Sequence, residues 1–346
     1  MAADLIDFRS DVKTLPTEEM LEAMRSAELG DSKAGEDPTV KRLEEMAAER
    51  FGVEAAMLLI SGTMANLAAI MAMAEPGEGM VLDPESHIYF YEGAHSLMSG
   101  VEHVLVKSHK GMLDPDELAE SVQANRDTAK LRLICLENTH NRSGGRVILI
   151  ELHARLCEIA HENGMAVHVD GARIFNASVA SGVPVSEYAR HVDSIMFCLS
   201  KSLSCPLGSV LCGSSEFMER ACRASRRLGG GMRQAGLIAA AGTVALESMV
   251  ARLAEDHANA KRLAEGLREI EGFEIDMETV ETNMVNVGLS SRGRTIEDWV
   301  EACRQAGVLI GVHRPDKLRL VTHRHHSPEI VDEAVRRVRV ASESFS

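Results

Sequence analysis

Short apolar runs alternate along most of the chain with segments whose apolar positions recur at the spacing of an α-helix. The apolar runs predict strands at residues 55–60, 80–83, 102–106, 131–137, 166–170, 194–199 and 208–212. Helical patterns lie between these strands, as at 66–74, 151–163 and 184–190. Because continuous apolar runs are typical of strands buried on both faces, we expect an α/β domain with a mainly parallel central sheet flanked by helices.

The pattern changes after residue 236. One long helical stretch over 237–270 is followed by short apolar runs and two further helical patterns, in the order strands 273–276 and 284–287, helix 296–306, strands 308–310 and 318–321, helix 328–342. This order predicts a smaller α+β domain. No long linker interrupts the chain, so we place the boundary inside the long helix. We expect a large domain over residues 1–247, including the N-terminal segment, and a small C-terminal domain over 248–346.

Composition narrows the class of partner. The 346 residues carry a net charge of −15, which disfavours nucleic acid or an anionic membrane as the main partner. No apolar run reaches the length of a membrane span. The seven cysteines show neither a CxxC pair nor zinc-site spacing, which indicates free thiols in a reducing compartment. We therefore expect a cytoplasmic protein that acts on a small molecule.

Two of the predicted strands end on a single charged residue, Asp170 and Lys201. Ligands of open parallel sheets gather at the carboxyl ends of the strands. A lysine amine can form a Schiff base with the aldehyde of pyridoxal 5′-phosphate (PLP), and an acid can keep the ring nitrogen protonated. Charged residues also end buried strands merely because the chain reaches water. The pair, taken with the loop described next, favours PLP.

A short polar turn, Ser61, Gly62 and Thr63, joins a predicted strand to a predicted helix. Free backbone N–H groups and two hydroxyls at a helix N-terminus can bind a phosphate, because the unpaired amides and the helix dipole both favour negative charge. The same three residues also form a good N-cap, which is a purely structural role. Neither a GxGxxG pattern nor a Walker lysine pattern occurs in the chain.

An aromatic segment around His87 offers a ring that could stack on the face of a cofactor. The alternative is an aromatic patch in the core. His87, Tyr91 and His95 have the spacing of one helical face, but a further ligand for a zinc site is missing from that pattern. We therefore expect no metal site here.

Several segments together resemble the low-specificity L-threonine aldolases, within the β-eliminating lyase group of fold-type-I PLP enzymes. They are Phe8-Arg9-Ser10-Asp11, residues 35–39, 136–141 and 168–176, Cys198-Leu199-Ser200-Lys201, and residues 229–234. The stretches Asp-Gly-Ala-Arg-Ile-Phe-Asn and Gly-Gly-Gly-Met-Arg-Gln are the most specific, and the resemblance runs nearly from end to end. It implies a large PLP-binding domain and a smaller C-terminal domain.

The resemblance also implies a role for individual residues. Lys201 would hold PLP, Asp170 would pair with the ring nitrogen, and His87 would stack on the ring. Phosphate contacts would come from Gly62, Thr63 and Arg233, beside Ser61. The substrate carboxylate would be held by Ser10, Arg173 and Arg319, with Arg173 also bordering the cofactor; a guanidinium meets a carboxylate with two charge-assisted hydrogen bonds and so fixes its orientation.

The implied reaction is retro-aldol cleavage of L-threonine, L-allo-threonine and related L-β-hydroxy-α-amino acids to glycine and an aldehyde. His87, directly or through a water, would take the hydroxyl proton, although ring stacking alone is an equally good role; His140 is a weaker candidate near the site. The family assembles as dimers of dimers with shared sites, so we expect a homotetramer in which Arg233 reaches a partner's site. Another PLP-dependent β-lyase or racemase, or a non-catalytic scaffold, remains the alternative.

Four positions depart from the family pattern. Ala34 stands where a tyrosine is common, Ala94 and His95 replace a glycine-rich continuation, and Ser202 replaces the usual glycine after the lysine. Since the first three lie in regions expected to border the substrate side chain, an aldolase that prefers a bulkier substrate such as phenylserine is also open.

Overall fold

The computed structural model describes residues 5–93, 95–126, 128–290 and 295–343, so Ala94 lies outside the described residues. The strands are β1 (Ile6–Asp7), β2 (Ala55–Leu59), β3 (Glu78–Leu82), β4 (Glu102–Leu105), β5 (Lys130–Glu137), β6 (Ala166–Asp170), β7 (Ser194–Cys198), β8 (Ser209–Gly213), β9 (Phe273–Glu274), β10 (Met284–Leu289), β11 (Val308–Leu309), β12 (Gly311–Arg314) and β13 (Lys317–Val321). The helices are α1 (Glu18–Ser26), α2 (Pro38–Phe51), α3 (Gly62–Met73), α4 (His87–Phe90), α5 (His95–Ser99), α6 (Pro115–Asn125), α7 (Ile150–Glu162), α8 (Ile174–Ser181), α9 (Val185–Ala189), α10 (Ser215–Arg227), α11 (Gly236–Val244), α12 (Leu253–Leu267), α13 (Ile296–Gln305) and α14 (Pro328–Glu343).

Seven strands form the central sheet in the order β2-β8-β7-β6-β5-β3-β4. All seven correspond to strands predicted from the apolar runs. The pairs from β7 to β4 are parallel, whereas β8 runs antiparallel to both of its neighbours. The predicted α/β domain with a mainly parallel sheet is therefore confirmed.

Helices cover both faces of this sheet, because alternate side chains of each strand point to opposite sides. In β7, Phe197 packs into the core beneath α2, and Met196 packs into the core beneath α3 and α10. Val210 and Leu211 of β8 divide between the same two cores. Burial on both faces explains why these strands read as continuous apolar runs in the sequence.

A second hydrophobic core is built by the C-terminal part of the chain together with the first strand. Its antiparallel sheet has the order β12-β13-β10-β9, and Trp299 of α13 is buried in the core. β1 pairs in parallel with β11, and Phe8 belongs to this core. The N-terminal segment, which we assigned to the large domain, thus packs against the C-terminal part.

The long helix predicted over 237–270 is divided into two. A π-helical turn, Ala245–Met249, ends the first part, and α12 begins after a bend of 68°. The predicted boundary between residues 247 and 248 lies within this π-helical turn, just before the bend, and stays a prediction. Within the described ranges, no single helix is long and apolar enough to cross a membrane, although the bent pair would pass by length and composition.

Candidate active site

The carboxyl ends of β5, β6 and β7 meet at one edge of the central sheet, because these three strands lie side by side in parallel. Glu137 and Asp170 are the last residues of β5 and β6, and they are partners in the strand register. Lys201 follows three residues after Cys198, where β7 ends. Sequence patterns alone placed Asp170 and Lys201 at strand ends, and the sheet order brings those ends to the same edge.

Asp170 is a buried carboxylate with fixed hydrogen bonds, only 2% exposed. One of its oxygens accepts from the Ala172 amide at 3.0 Å, and the other accepts from Nδ2 of Asn66 on α3, also at 3.0 Å. The Asn66 carbonyl oxygen in turn faces Nε2 of His168 at 3.1 Å. Burial lowers the pKa of His168 to about 4, so this imidazole is neutral at pH 7 and donates to Asn66. These contacts fix the orientation of Asp170.

Lys201 is half-buried, and its backbone is held by hydrogen bonds to its carbonyl oxygen. The Lys201 carbonyl oxygen accepts from the Thr14 hydroxyl and from the Ser204 amide, both at 2.8 Å. The ammonium group lies close enough to His87 and Asp11 to act on the pKa of each. The lysine amine, the His87 imidazole and the Asp170 carboxylate therefore share one site.

The polar turn before α3 is an N-cap with open backbone amides. Ser61 Oγ accepts from the Met64 amide at 3.2 Å. A Cβ at Gly62 would lie 2.9 Å from Sγ of Cys198, so only glycine brings the helix end this close to β7. The first amides of a helix have no acceptor within that helix. The N-cap role is therefore observed. The Gly62 and Thr63 amides lie where an anion could meet them, and the phosphate role stays a prediction.

His87 begins α4 and is anchored from two sides. Its backbone amide donates to Glu137 Oε2 at 2.6 Å, and its Nδ1 lies 2.8 Å from Glu92 Oε1. One side-chain atom each of His87, Glu92 and Asp170 lies within 4.8 Å of the other two. The Tyr91 ring lies 5.0 Å from the imidazole. Since α4 and α5 are separate short helices, the single helical face considered for this segment is not formed.

Arg173 is held by a buried carboxylate that sequence reasoning did not single out. Its Nε and Nη2 donate to the two oxygens of Asp11 at 2.7 and 2.6 Å. Ser202 and Asn283 donate to Asp11 as well, at 2.9 and 3.2 Å. Burial alone would raise the pKa of Asp11, but the charge and hydrogen bonds of Arg173, more than the nearby Lys201, hold it well below its usual range. Asp11 therefore stays ionised and fixes the guanidinium.

Arg319, on β13, reaches the same site from the C-terminal part of the chain. Its Nη1 donates to Asn141 Oδ1 at 3.0 Å, and its Nε is buried with no partner among the described residues. Burial lowers the pKa of Arg319, and the facing charge of Arg173 lowers it further. Two cations that face each other, one with an unused buried donor, are suited to an anion between them.

Ser10 lies beside the buried polar groups of the site, whereas Arg233 lies at the surface. Ser10 caps a 3₁₀ turn beside Asp11, accepting from the Val12 amide at 3.3 Å. The side chain of Arg233 is 59% exposed and pairs with Asp31 at 2.9 Å. Within the part of one chain that the structure describes, Arg233 makes no contact with Asp170, Lys201 or the turn before α3. The structure thus brings together the other predicted site residues but not Arg233.

The acids around the site were the main omission of the sequence reasoning. Glu137, Glu92 and Asp11 are buried, and Asn66 is a buried polar residue within the apolar run of α3. His140 is buried too, with Nε2 3.1 Å from Asp83 Oδ2. A polar residue inside an apolar helical run is a visible signal for Asn66. The acids carry no comparable signal, because their burial becomes visible only in the folded chain.

The described residues that depart from the family pattern differ in how deeply they are buried. Ser202 donates its hydroxyl to Asp11, and His95 is 1% exposed against Glu92. Both belong to the polar network beneath the site, so neither lines an open substrate pocket. Ala34 is exposed in the 3₁₀ turn Ser32–Ala34.

Comparison with known proteins gives consistent matches. A family model described as β-eliminating lyase matches residues 7–290. The chain is 41% identical over 325 residues to low-specificity L-threonine aldolase 1 of Arabidopsis thaliana, covering 92% of this chain and 91% of that protein. It is also 41% identical over 333 residues to the low specificity L-threonine aldolase of Escherichia coli, covering 95% and 97%.

A solved structure of a threonine aldolase from Leishmania major matches with a TM-score of 0.83. It covers 99% of this chain and 100% of that chain at 18% identity. The fold predicted from the sequence is confirmed by this likeness.

Proposed function

The chain belongs to the β-eliminating lyase family, and on that premise we propose that it uses PLP to cleave L-threonine and L-allo-threonine. The products are glycine and acetaldehyde, and related L-β-hydroxy-α-amino acids give glycine and the matching aldehyde. The observation that carries this proposal is the shared sheet edge where Asp170, Lys201 and His87 meet. Relatives at 41% identity that carry the name of this activity support it.

The residues present fit PLP. The buried, hydrogen-bonded carboxylate of Asp170 suits a protonated ring nitrogen, which needs a fixed negative partner. The amides of Gly62 and Thr63 suit the phosphate, and the close approach of Gly62 to β7 leaves no room for a side chain there. The Lys201 side chain at the same edge supplies the amine.

When bound, PLP supplies an aldehyde that an amine captures and a protonated ring that accepts the electron pair of the broken Cα–Cβ bond. The residues of the chain position the reactants for that chemistry. Arg173 and Arg319 hold the substrate carboxylate, Ser10 lies beside them, and Asp11 keeps Arg173 in place. Nε2 of His87 takes the proton of the β-hydroxyl, which lets the aldehyde carbonyl form, and stacking of its ring holds the cofactor.

Arg319→Leu is expected to raise KM for L-threonine by about 10- to 100-fold, since charge-assisted hydrogen bonds to a carboxylate contribute about 1.5–3 kcal/mol. The value of kcat should change less, because the same contacts act on the bound substrate and on the transition state. Steady-state kinetics across substrate concentration measures both. Arg304→Leu removes an exposed arginine of α13 and serves as the control. An unchanged KM in Arg319→Leu would place the carboxylate elsewhere.

A second candidate is an aldolase that prefers a bulkier substrate, and the exposed, small Ala34 in place of a tyrosine favours it. Cleavage of L-threonine, L-allo-threonine and phenylserine by the same preparation separates the two. The first proposal expects kcat/KM to be equal or greater for a threonine isomer. A clear preference for phenylserine would support the second, and loss of ammonia without aldehyde from all three would point to another PLP-dependent lyase.

We further propose that the protein is a cytoplasmic homotetramer, a dimer of dimers. The exposure of Arg233 supports this arrangement, because its guanidinium, paired with Asp31 at the surface, lies where a partner copy can meet it. The net charge of −15 also makes nucleic acid an unsuitable partner.

A further inference from the structure

A buried carboxylate beneath the site is shared by two histidines. Glu92 Oε1 lies 2.8 Å from Nδ1 of His87, and Glu92 Oε2 lies 2.6 Å from Nε2 of His95. The side chains of Glu92 and His95 are 3% and 2% exposed, whereas that of His87 is 31% exposed. The hydrogen-bonded series His95, Glu92, His87 therefore runs from the buried interior to the partly exposed ring of His87.

Further hydrogen-bond donors surround the Glu92 carboxylate. Thr63 donates its hydroxyl to Oε1 at 3.1 Å, and Asn66 Nδ2 lies 3.4 and 3.3 Å from the two oxygens. Burial alone would raise the pKa of Glu92, but the hydrogen bonds from His87 and His95 hold it well below its usual range. An ionised carboxylate only accepts hydrogen bonds. Both imidazole nitrogens that face it must then carry protons.

We propose that His95 is a positioning residue: by holding one oxygen of Glu92, it fixes the other as the acceptor for Nδ1–H of His87 and so presents Nε2 of His87 to the substrate hydroxyl. The inference rests on the proposed function, because it gives His87 the proton-accepting role. The hydroxyl proton moves to Nε2, and Glu92 then stabilises the imidazolium that forms. The charge on Glu92 is retained throughout.

His95 is suited to this task by its place in the chain. It begins α5 immediately beyond the segment that carries Glu92, and the Ser99 hydroxyl donates to its carbonyl oxygen. The Glu92 carbonyl oxygen also accepts from the His95 amide at 2.9 Å. His95 is thus held through its backbone by Glu92 and Ser99 while its side chain binds the Glu92 carboxylate. This arrangement limits rotation of the carboxylate, and a glycine at position 95 has no side chain to do so.

Several charged and titratable groups among the described residues surround His87 and His95. Glu92, Asp170 and Lys201 act on His87, and Glu137 binds its backbone amide. His95 faces Glu92, and His103 and His168 are the neighbouring imidazoles. Burial alone would lower the pKa of His87, but Glu92 and Asp170 outweigh burial and Lys201 and raise it. Loss of the Glu92 contact should therefore lower the pKa of His87.

The test compares His95→Leu, which cannot donate a hydrogen bond, with His95→Gln, whose amide nitrogen can occupy the place of Nε2. Imidazole nitrogens of the cofactor-free protein are titrated by NMR, with the His87 signal assigned from His87→Asn. In the wild type we expect the neutral His87 ring to carry its proton on Nδ1 and to gain the second proton on Nε2 as the pH falls. In His95→Leu this tautomer preference should be lost and the pKa of His87 should fall, whereas His95→Gln should retain both.

Kinetics of the PLP-loaded protein supply the second readout. We expect His95→Leu to lower kcat for L-threonine about tenfold with KM within about twofold, and His95→Gln to recover most of the loss. The acid limb of the rate profile should move to lower pH in His95→Leu, because only the neutral His87 ring can accept a proton. His103→Gln, which changes a neighbouring histidine packed against Tyr89, should leave the rate and the titration unchanged.

The proposal is overturned if His87 in a folded His95→Leu keeps the wild-type tautomer and titration. It is equally overturned if His95→Gln, melting at the wild-type temperature, behaves as His95→Leu does. A wild type that cleaves no β-hydroxy amino acid would refute the proposed function instead. The titration, which needs no cofactor, would still decide the role of His95.

Discussion

Lys201→Ala is expected to lower the rate of L-threonine cleavage by about 10³-fold or more without unfolding the protein. In the proposed function the Lys201 amine would attach the cofactor, and its loss would leave the site without that nucleophile. The fold should persist because Lys201 contributes to packing through its carbonyl oxygen, which accepts from Thr14 and Ser204 and is unaffected by the substitution.

Two measurements check this expectation. Steady-state rates with L-threonine give the loss, and the absorbance of the PLP-loaded protein near the visible edge should disappear in the variant. Lys261→Ala, which removes an exposed lysine of α12, is the control for loss of a positive charge. A folded Lys201→Ala variant that cleaves L-threonine at the wild-type rate would contradict the proposed chemistry.

Asp11→Ala is expected to lower the free energy of unfolding by about 3–5 kcal/mol, the usual cost of leaving one partner of a buried ion pair unpaired. Asp11 is fully buried and receives two hydrogen bonds from Arg173, which is itself 7% exposed. Removing the carboxylate also takes away the acceptor of the Ser202 hydroxyl and one of the acceptors of Asn283 Nδ2, which still donates to the Thr322 carbonyl oxygen. Urea unfolding at pH 7 measures the change.

The matched control lies four residues earlier. Asp7 pairs with Arg9 at 2.6 Å near the surface, so Asp7→Ala should cost less than about 1 kcal/mol. A loss of similar size in the two variants would show that Arg173 finds another partner or water when Asp11 is absent.

The pH dependence of stability gives an independent check on Asp11. Its pKa is lower in the folded protein than in the unfolded chain, where an aspartate titrates near pH 3.9. Below that pH the unfolded chain binds a proton that the folded protein does not, so the stabilisation is present above it and is lost as the pH falls. Asp11→Ala should therefore show a shallower loss of stability below about pH 4.

The sequence predicted the central sheet well because burial on both faces gives each strand an apolar run that needs no partner to be recognised. It also predicted that Asp170 and Lys201 end strands. That the two ends share an edge depends on the sheet order, in which β6 and β7 are neighbours. The bend between α11 and α12 was missed, since the residues on both sides are equally good helix formers.

The buried acids of the site could not be predicted from local pattern. Asp11 and Arg173 are separated by 162 positions, and only the folded chain shows that one clamps the other. Glu92 lies between His87 and His95 in the sequence, but only the folded chain shows that its buried carboxylate accepts from both and from Thr63. The N-terminal strand was assigned to the large domain by its position, whereas its pairing with β11 joins it to the second core.

One measurement tests the central claim most directly: borohydride treatment of the PLP-loaded protein, followed by peptide mapping, identifies the residue to which the cofactor is attached. The account predicts a pyridoxyl group on Lys201 and no label when Asp170→Ala prevents the ring from binding. A label on a different lysine, or threonine cleavage by a protein that takes up no label, would contradict it.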